Sequence, residues 1–301
     1  MMKKEDLHGF VPAIVTPFNE KGDIMEDAFM AVVDYLIDSG ATGICIAGDN
    51  GESWTLSPAE RGRLTRVAAD RAKGRAKIIT GCSAPTLAGS LAYARQAEEN
   101  GADGLLSMPQ TYVLKTTRDE LLRRFSGLGK GCKLPIVAYN SPRRSGLSLS
   151  VADIAAILDV APVIGIKESD RDFFHHTYLI EALRDRMSIL VGPAHYIMPG
   201  IALGAKGFIA TAPEFLGRDA GRLTKLAAEK PTAETAALHF KLTRLYDLLM
   251  TTATWPAALK AGLNLIGIPA GVPRDPVAPA TPADIEKIKA VFDKLGIARA
   301  R

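Results

Sequence analysis

Gly40-Ala41-Thr42-Gly43, Gly101-Ala102-Asp103-Gly104 and Gly204-Ala205-Lys206-Gly207 are three copies of one pattern, Gly-Ala-x-Gly. Each follows a segment with helical spacing of apolar residues, at 27–39, 87–100 and 197–203. Each precedes a short apolar run: ICIA, LLSM and FIA. A glycine placed just past a helix accepts the positive φ that stops it, because it has no Cβ. Each copy therefore reads as helix, turn and buried strand. The copies begin 61 and 103 residues apart. Those separations fit two and four units of about 25–30 residues, the βα period of a barrel.

The intervals fill in the same way. Apolar runs of strand length occur at 11–15, 44–47, 77–80, 104–108, 134–139, 163–167, 188–191 and 207–210. Helical patterns separate them, including 59–73, 87–100, 118–128 and 151–159. Several runs are apolar throughout, as in a parallel sheet buried on both faces. Eight such strands alternating with helices predict an α/β fold, a (β/α)8 TIM barrel. An open doubly wound sheet is the competing architecture, but no G-x-G-x-x-G follows the first strand. The nearest match, Gly127-Leu128-Gly129-Lys130-Gly131, precedes a strand and has Cys132 in place of the last glycine. It reads as a helix-ending turn.

Beyond about residue 225 the pattern is purely helical, at 233–252, 257–266 and 283–295. The last helix opens on Thr281-Pro282, a cap followed by proline at the first helical position. The predicted division is a barrel carrying the active site over 1–225 and a C-terminal helical region over 226–301, packed on the barrel.

Composition narrows the function classes. The 301 residues carry 37 Lys plus Arg against 33 Asp plus Glu, a net charge of +4. So balanced a chain predicts no nucleic-acid and no membrane-surface partner. No apolar run reaches the roughly 18 residues that span a bilayer, and MMKKEDLHGF lacks the apolar core of a secretory signal. Cys45, Cys82 and Cys132 are too few and too scattered for a disulfide framework or a zinc knuckle. They read as buried thiols in a protein of the cytoplasm.

Barrel chemistry sits at the C-terminal ends of the strands. The sixth strand ends in Lys167, where desolvation is expected to lower the amine's pKa and make it a nucleophile toward a carbonyl. The alternative is a lysine that reaches solvent or pairs with Glu168 or Asp170. The fifth strand ends in Tyr139, 28 residues earlier, so the two strands should be neighbours and Tyr139 could shuttle protons to the amine. The loop Gly48-Asp49-Asn50-Gly51-Glu52-Ser53 offers backbone N–H groups to an anion, although Asp-Asn-Gly is also ordinary turn chemistry. Of Arg143 and Arg144 after the fifth strand, either could clamp a carboxylate. Arg143 reads better as a solvated loop charge.

Other candidates carry less. The adjacent His175 and His176 point about 100° apart on a helix, unlike a zinc-binding pair. His195 follows the seventh strand but stands alone. The basic run Arg61, Arg63, Arg66, Arg71, Lys73, Arg75 and Lys77 has no interleaved aromatics and reads as a solvated helix face.

Taken together, these strand ends resemble the dihydrodipicolinate synthase / N-acetylneuraminate lyase superfamily of class I aldolases, nearly end to end. Ala13-Ile14-Val15-Thr16-Pro17-Phe18 is similar to its A-L-x-T-P-F. Gly48 to Glu52 stands where the family has G-[TS]-T-G-E. Residues Tyr139 to Gly146 resemble Y-N-x-P-x-R-T-G, and Ile166-Lys167-Glu168-Ser169 resembles I-K-[DE]-[SA]. The tail Ile268-Pro269-Ala270-Gly271 with Arg274 and Pro276 resembles G-L-P-x-G-x-x-R-x-P.

The resemblance implies a lyase in which Lys167 forms a Schiff base with pyruvate or another 2-keto acid and Tyr139 relays protons. Gly48 and the amides of Asp49 and Asn50 would hold the substrate carboxylate, and the Ile209 carbonyl would face the substrate. No metal or organic cofactor is implied, and a homotetramer built as a dimer of dimers is. Four positions depart from or bear on the synthase pattern. Asp49 and Asn50 replace its two hydroxyl residues, Thr111 stands where a relay tyrosine is found, and Arg144 is retained. An ionised Asp49 cannot donate a hydrogen bond and would repel a substrate carboxylate. The leading expectation is therefore aldol cleavage or dehydration of a 2-keto acid, such as a 2-keto-3-deoxy sugar acid. The competing ones are dihydrodipicolinate synthase itself, which condenses pyruvate with aspartate semialdehyde, and a non-catalytic keto-acid-binding relative.

Overall fold

The computed structural model describes residues 1–113, 115–229 and 232–299. Eight strands run β1 (Gly9–Phe10), β2 (Gly43–Ile46), β3 (Lys77–Gly81), β4 (Gly104–Ser107), β5 (Ile136–Asn140), β6 (Val163–Glu168), β7 (Ser188–Val191) and β8 (Gly207–Phe208). The helices among them are α1 (Glu26–Asp38), α2 (Pro58–Ala72), α3 (Leu87–Glu99), α4 (Arg118–Gly131), α5 (Pro142–Ser145), α6 (Val151–Val160), α7 (Phe173–Leu183) and α8 (Ile197–Ala202). After β8 come α9 (Arg218–Ala228), α10 (Ala233–Thr251), α11 (Ala257–Leu265) and α12 (Pro282–Leu295). All strand pairs are parallel, in the order β1-β8-β7-β6-β5-β4-β3-β2. Single bridges Phe10–Ala41 and Ala13–Cys45 span the remaining seam, so the sheet nearly closes into a TIM barrel.

The Gly-Ala-x-Gly pattern does two jobs. Its first glycines, Gly40, Gly101 and Gly204, have φ of +91°, +84° and +117° and stop their helices. Its second glycines open β2, β4 and β8. At Gly207 a Cβ would lie 2.3 Å from the Gly9 carbonyl oxygen, so the β1–β8 approach requires glycine there.

Four expectations are corrected. The first strand is not 11–15. Pro12 has no N–H to donate, so regular pairing ends at Phe10 and only Ala13 bridges onward. The eighth ends at Phe208, two residues short of 210. The glycines at 127, 129 and 131 do not form a turn but complete α4. A Cβ on them would meet Leu87, Pro162 and Leu91 at 2.4 Å, so they let α4 pack closely on its neighbours. The basic run is also not uniformly solvated. Arg61 is buried, donates to the Gly81 and Ser53 carbonyls at 2.5 and 2.8 Å, and lies over the Tyr93 ring.

Two cores result. One lies between sheet and helices, and the other fills the barrel from Met2 and Leu7 up to Tyr139, Leu190 and Ile209. All three cysteines are free and buried, and burial pushes the Cys45 and Cys82 thiols up to about 11. Helix α11 is tied to the barrel by Lys260, 1% exposed, which pairs with the fully buried Glu52. Lys260 also donates to the Thr16 and Val272 carbonyls at 2.7 Å. Arg274 reaches Glu60 at 2.7 Å and packs over Phe18. Among the described residues no helix is long and apolar enough to cross a membrane.

Candidate active site

Lys167 and Tyr139 are register partners on the β6–β5 ladder. Alternate residues of a barrel strand point inward, and here both side chains enter the barrel mouth. They are 7% and 5% exposed, with Lys167 Nζ 4.3 Å from the Tyr139 ring centre. One step along the ladder, Asn140 Nδ2 donates to both oxygens of the buried Glu168, at 3.0 and 3.1 Å. The Asp170 N–H donates to Glu168 at 2.7 Å, and His175 Nε2 lies 3.3 Å away. Asp170 is engaged by Ser148. Neither acid pairs with Lys167, whose amine lines the cleft. The Asn140–Glu168 pair, which sequence reasoning passed over, holds the two strand ends in register.

Burial disfavours the Lys167 ammonium, as expected, but it does not decide the outcome. Tyr139, Asp49 and Cys45 favour the charged form and together outweigh burial, so the amine is held above its ordinary pKa. The expectation of a lowered value is corrected by these neighbours. The Tyr139 phenol is also pushed up, first by burial and then by Asp49.

Asp49 is the hub of the polar network. Its Oδ2 accepts from the Tyr139 hydroxyl at 3.1 Å and from Arg144 Nε at 2.9 Å. Asn50 is buried and anchored, donating to the Ala13 carbonyl at 2.8 Å and to Thr211 at 3.1 Å. Among the described residues no group accepts from the backbone N–H of Asp49 or Asn50.

These residues line one cleft of about 120 Å³, together with Ile209. Gly48 lies outside its lining, against a small cavity behind Tyr139. Thr111 is in the β4–α4 loop and does not line the cleft. Arg143, read as a solvated loop charge, lines it, and so does Arg171. The far wall is α10 and its following turn: Tyr246, Leu249, Met250, Ala253 and Trp255. Their spacing shows as a helical stripe in sequence, but nothing local says that the stripe covers a site. His195 packs edge-on against Tyr196 and at a tilt against Tyr246, outside the lining. His176 is buried against the Asp170 carbonyl at 2.8 Å. Among the described residues no cluster of His, Cys, Asp and Glu could hold a metal.

Glu214, in the 3₁₀ turn after β8, was not singled out in sequence. It is 3% exposed, and burial pushes its carboxyl up to about 7. One oxygen accepts from the Ala212 N–H at 2.8 Å, and the other has no partner among the described residues.

Residues 6–295 match the profile of the dihydrodipicolinate synthetase family. The chain belongs to that family. It is accordingly a lyase of the class I aldolase type. A similar relative is 4-hydroxy-tetrahydrodipicolinate synthase 1 of Halalkalibacterium halodurans, 29% identical over 90% of this chain and 91% of that protein. Among solved structures, dihydrodipicolinate synthase from Aquifex aeolicus superposes with a TM-score of 0.90 at 27% identity, covering 98% of this chain and 100% of that one. The chloride-inhibited enzyme from Acinetobacter baumannii, complexed with pyruvate, gives 0.91 at 25% identity over 97% and 99%. Family membership places this chain's barrel beside theirs from end to end, the C-terminal helices included.

Proposed function

We propose that this family member cleaves or dehydrates a 2-keto acid through a Schiff base on Lys167. The observation that carries the reading is the buried amine stacked on Tyr139 at the mouth of the barrel. At rest the amine holds its proton, so attack on a carbonyl first requires its removal. Tyr139 offers a route: its oxygen takes the proton while its own hydroxyl proton passes to Asp49. The free amine adds to the C2 carbonyl, and loss of water leaves an iminium. In aldol cleavage Tyr139 takes the C4 hydroxyl proton, the C3–C4 bond breaks and its electron pair moves to the nitrogen, and the resulting enamine regains an iminium by taking a proton at C3. In dehydration the C3 proton is lost first and its bonding pair moves to the nitrogen; the enamine then expels the C4 hydroxyl, which leaves with a proton as water, and an unsaturated iminium remains. Hydrolysis of the iminium then returns the amine.

The free amides of Asp49 and Asn50 suit the substrate carboxylate, and Ile209 caps the apolar floor. The iminium is the electron sink, so the scheme uses neither a metal nor an organic cofactor. Pyruvate is the simplest fitting 2-keto acid, and the relative complexed with it supports the choice. A homo-oligomer in the cytoplasm remains part of the proposal, on the family resemblance. Condensation of pyruvate with aspartate semialdehyde is the second reading, favoured by the names of the relatives. Against it stands Arg144, which is already engaged by Asp49.

Borohydride reduction with pyruvate, followed by peptide mass spectrometry, tests the central claim. An adduct on Lys167 is expected, and its absence sinks the mechanism. A coupled assay with pyruvate and aspartate semialdehyde decides between the two readings.

A further inference from the structure

Tyr139 and Lys167 are paired in register, and four residues beyond each stands an arginine that lines the cleft, Arg143 and Arg171. The two arginines therefore follow neighbouring strand ends, Arg143 in α5 and Arg171 just before α7, and both present exposed side chains to the same cleft. The scheme above gives neither of them a task. Arg144, between them in sequence, is bound to Asp49 at 2.9 Å. Among the described residues no carboxylate lies within 4 Å of Arg143 or Arg171, and neither side chain donates a hydrogen bond. Arg171 is nevertheless placed: its carbonyl accepts from the Tyr196 hydroxyl at 2.6 Å, and Tyr196 packs on Phe173.

The charges in the cleft do not balance for a small monoacid. Lys167, Arg143, Arg144 and Arg171 face one acid, Asp49. A single substrate carboxylate, held by the turn amides, leaves both outer guanidiniums without a counter-charge. Planar guanidiniums recognise carboxylate and phosphate oxygens through paired N–H donors. We infer that Arg143 and Arg171 form a second anion subsite, so that the substrate is a 2-keto acid with another anionic group at its far end. This rests on the keto-acid reading of the site. The opposite wall, Leu249, Met250 and Trp255, would line the substrate's middle carbons.

Calorimetric titration of the full chain with 2-oxohexanoate and 2-oxoadipate isolates the far end, because the two differ only there. The diacid is expected to bind at least about tenfold more tightly, as a charge-assisted pair requires. The double variant Arg143→Gln/Arg171→Gln should erase that difference while the monoacid's affinity and borohydride trapping of pyruvate stay unchanged. Equal affinities in the unaltered protein, or an equal loss for both acids in the variant, overturn the subsite. Parallel titrations with 2-keto-3-deoxygluconate and its 6-phosphate separate the sources: a larger gain with phosphate assigns a phosphate end, a smaller one a carboxylate. Preference for the diacid without any trapped adduct would retain the subsite and reject the Schiff base.

Discussion

The Tyr139 hydroxyl donates to the Asp49 carboxylate at 3.1 Å, and this couples the phenol to a charge that its burial alone would not provide. Asp49 raises the pKa of Tyr139 and of Lys167. Asp49→Asn removes that charge and keeps the side-chain volume. Both groups should then lose their protons at lower pH. The pH at which pyruvate trapping is half-maximal should fall by about one unit, the smaller end of what one nearby charge does. Trapping rates from pH 6 to 10 measure it. An unmoved profile would show that Asp49 only decorates the loop.

Tyr139→Phe keeps the ring beneath Lys167 and deletes the relay. A positioned acid–base group contributes about 10² to 10⁴ in rate, so kcat should drop by that order. Adduct formation at Lys167 should slow yet still reach completion at high pH, where solvent removes the proton. Single-turnover trapping beside steady-state kinetics separates the two steps.

Glu214 sets a pH dependence of stability. Its folded pKa, about 7, lies above its ordinary 4.5. Between those values the folded state holds a proton that the unfolded state has released, so its contribution is complete below 4.5 and is lost as pH rises through 7. Glu214→Gln should therefore gain stability relative to the unaltered protein between pH 5 and pH 8, by at most about 3 kcal/mol. Urea unfolding at the two pH values provides the comparison. A difference that does not change with pH rejects this account.

Lys260→Met should leave the Glu52 carboxylate buried without its partner. Breaking such a pair from one side costs about 3–5 kcal/mol. Adding Glu52→Gln should restore most of it, since the uncompensated charge is then gone. Thermal unfolding of the single and double variants tests the asymmetry.

The opening motif makes its own prediction, because its two glycines act through different physics. Gly101→Ala forces a side chain to φ +84° but meets only Ala69 at 3.4 Å, so about 1–2 kcal/mol is expected. Gly207→Ala sets a Cβ against the Gly9 backbone at 2.3 Å. It should destabilise more and open the β1–β8 seam, read as faster amide exchange in β1 and β8.

The barrel was legible because its signals are local. A glycine after a helix, a short run apolar on both faces and a lysine closing such a run are all properties of consecutive residues. Strand ends were legible less well, because Pro12 and Pro135 interrupt pairing that composition alone favours. The reactive pair was legible because Tyr139 and Lys167 are one βα unit apart, which makes their strands neighbours.

The chain order of apolar and polar residues thus determined the fold, the strand that carries each site residue and the family the chain resembles. Tertiary structure decided what those residues do to one another. Asp49 meets Tyr139 and Arg144 across 90 and 95 residues, and Lys260 of the C-terminal helices meets Glu52 of the loop after β2. α10 closes over a cleft built by loops far upstream. Charge and hydrogen bonding act through space over a few ångströms, and only closure of the barrel brings such distant segments that near. The direction of the Lys167 shift followed from those neighbours, since the burial visible in the sequence works the other way.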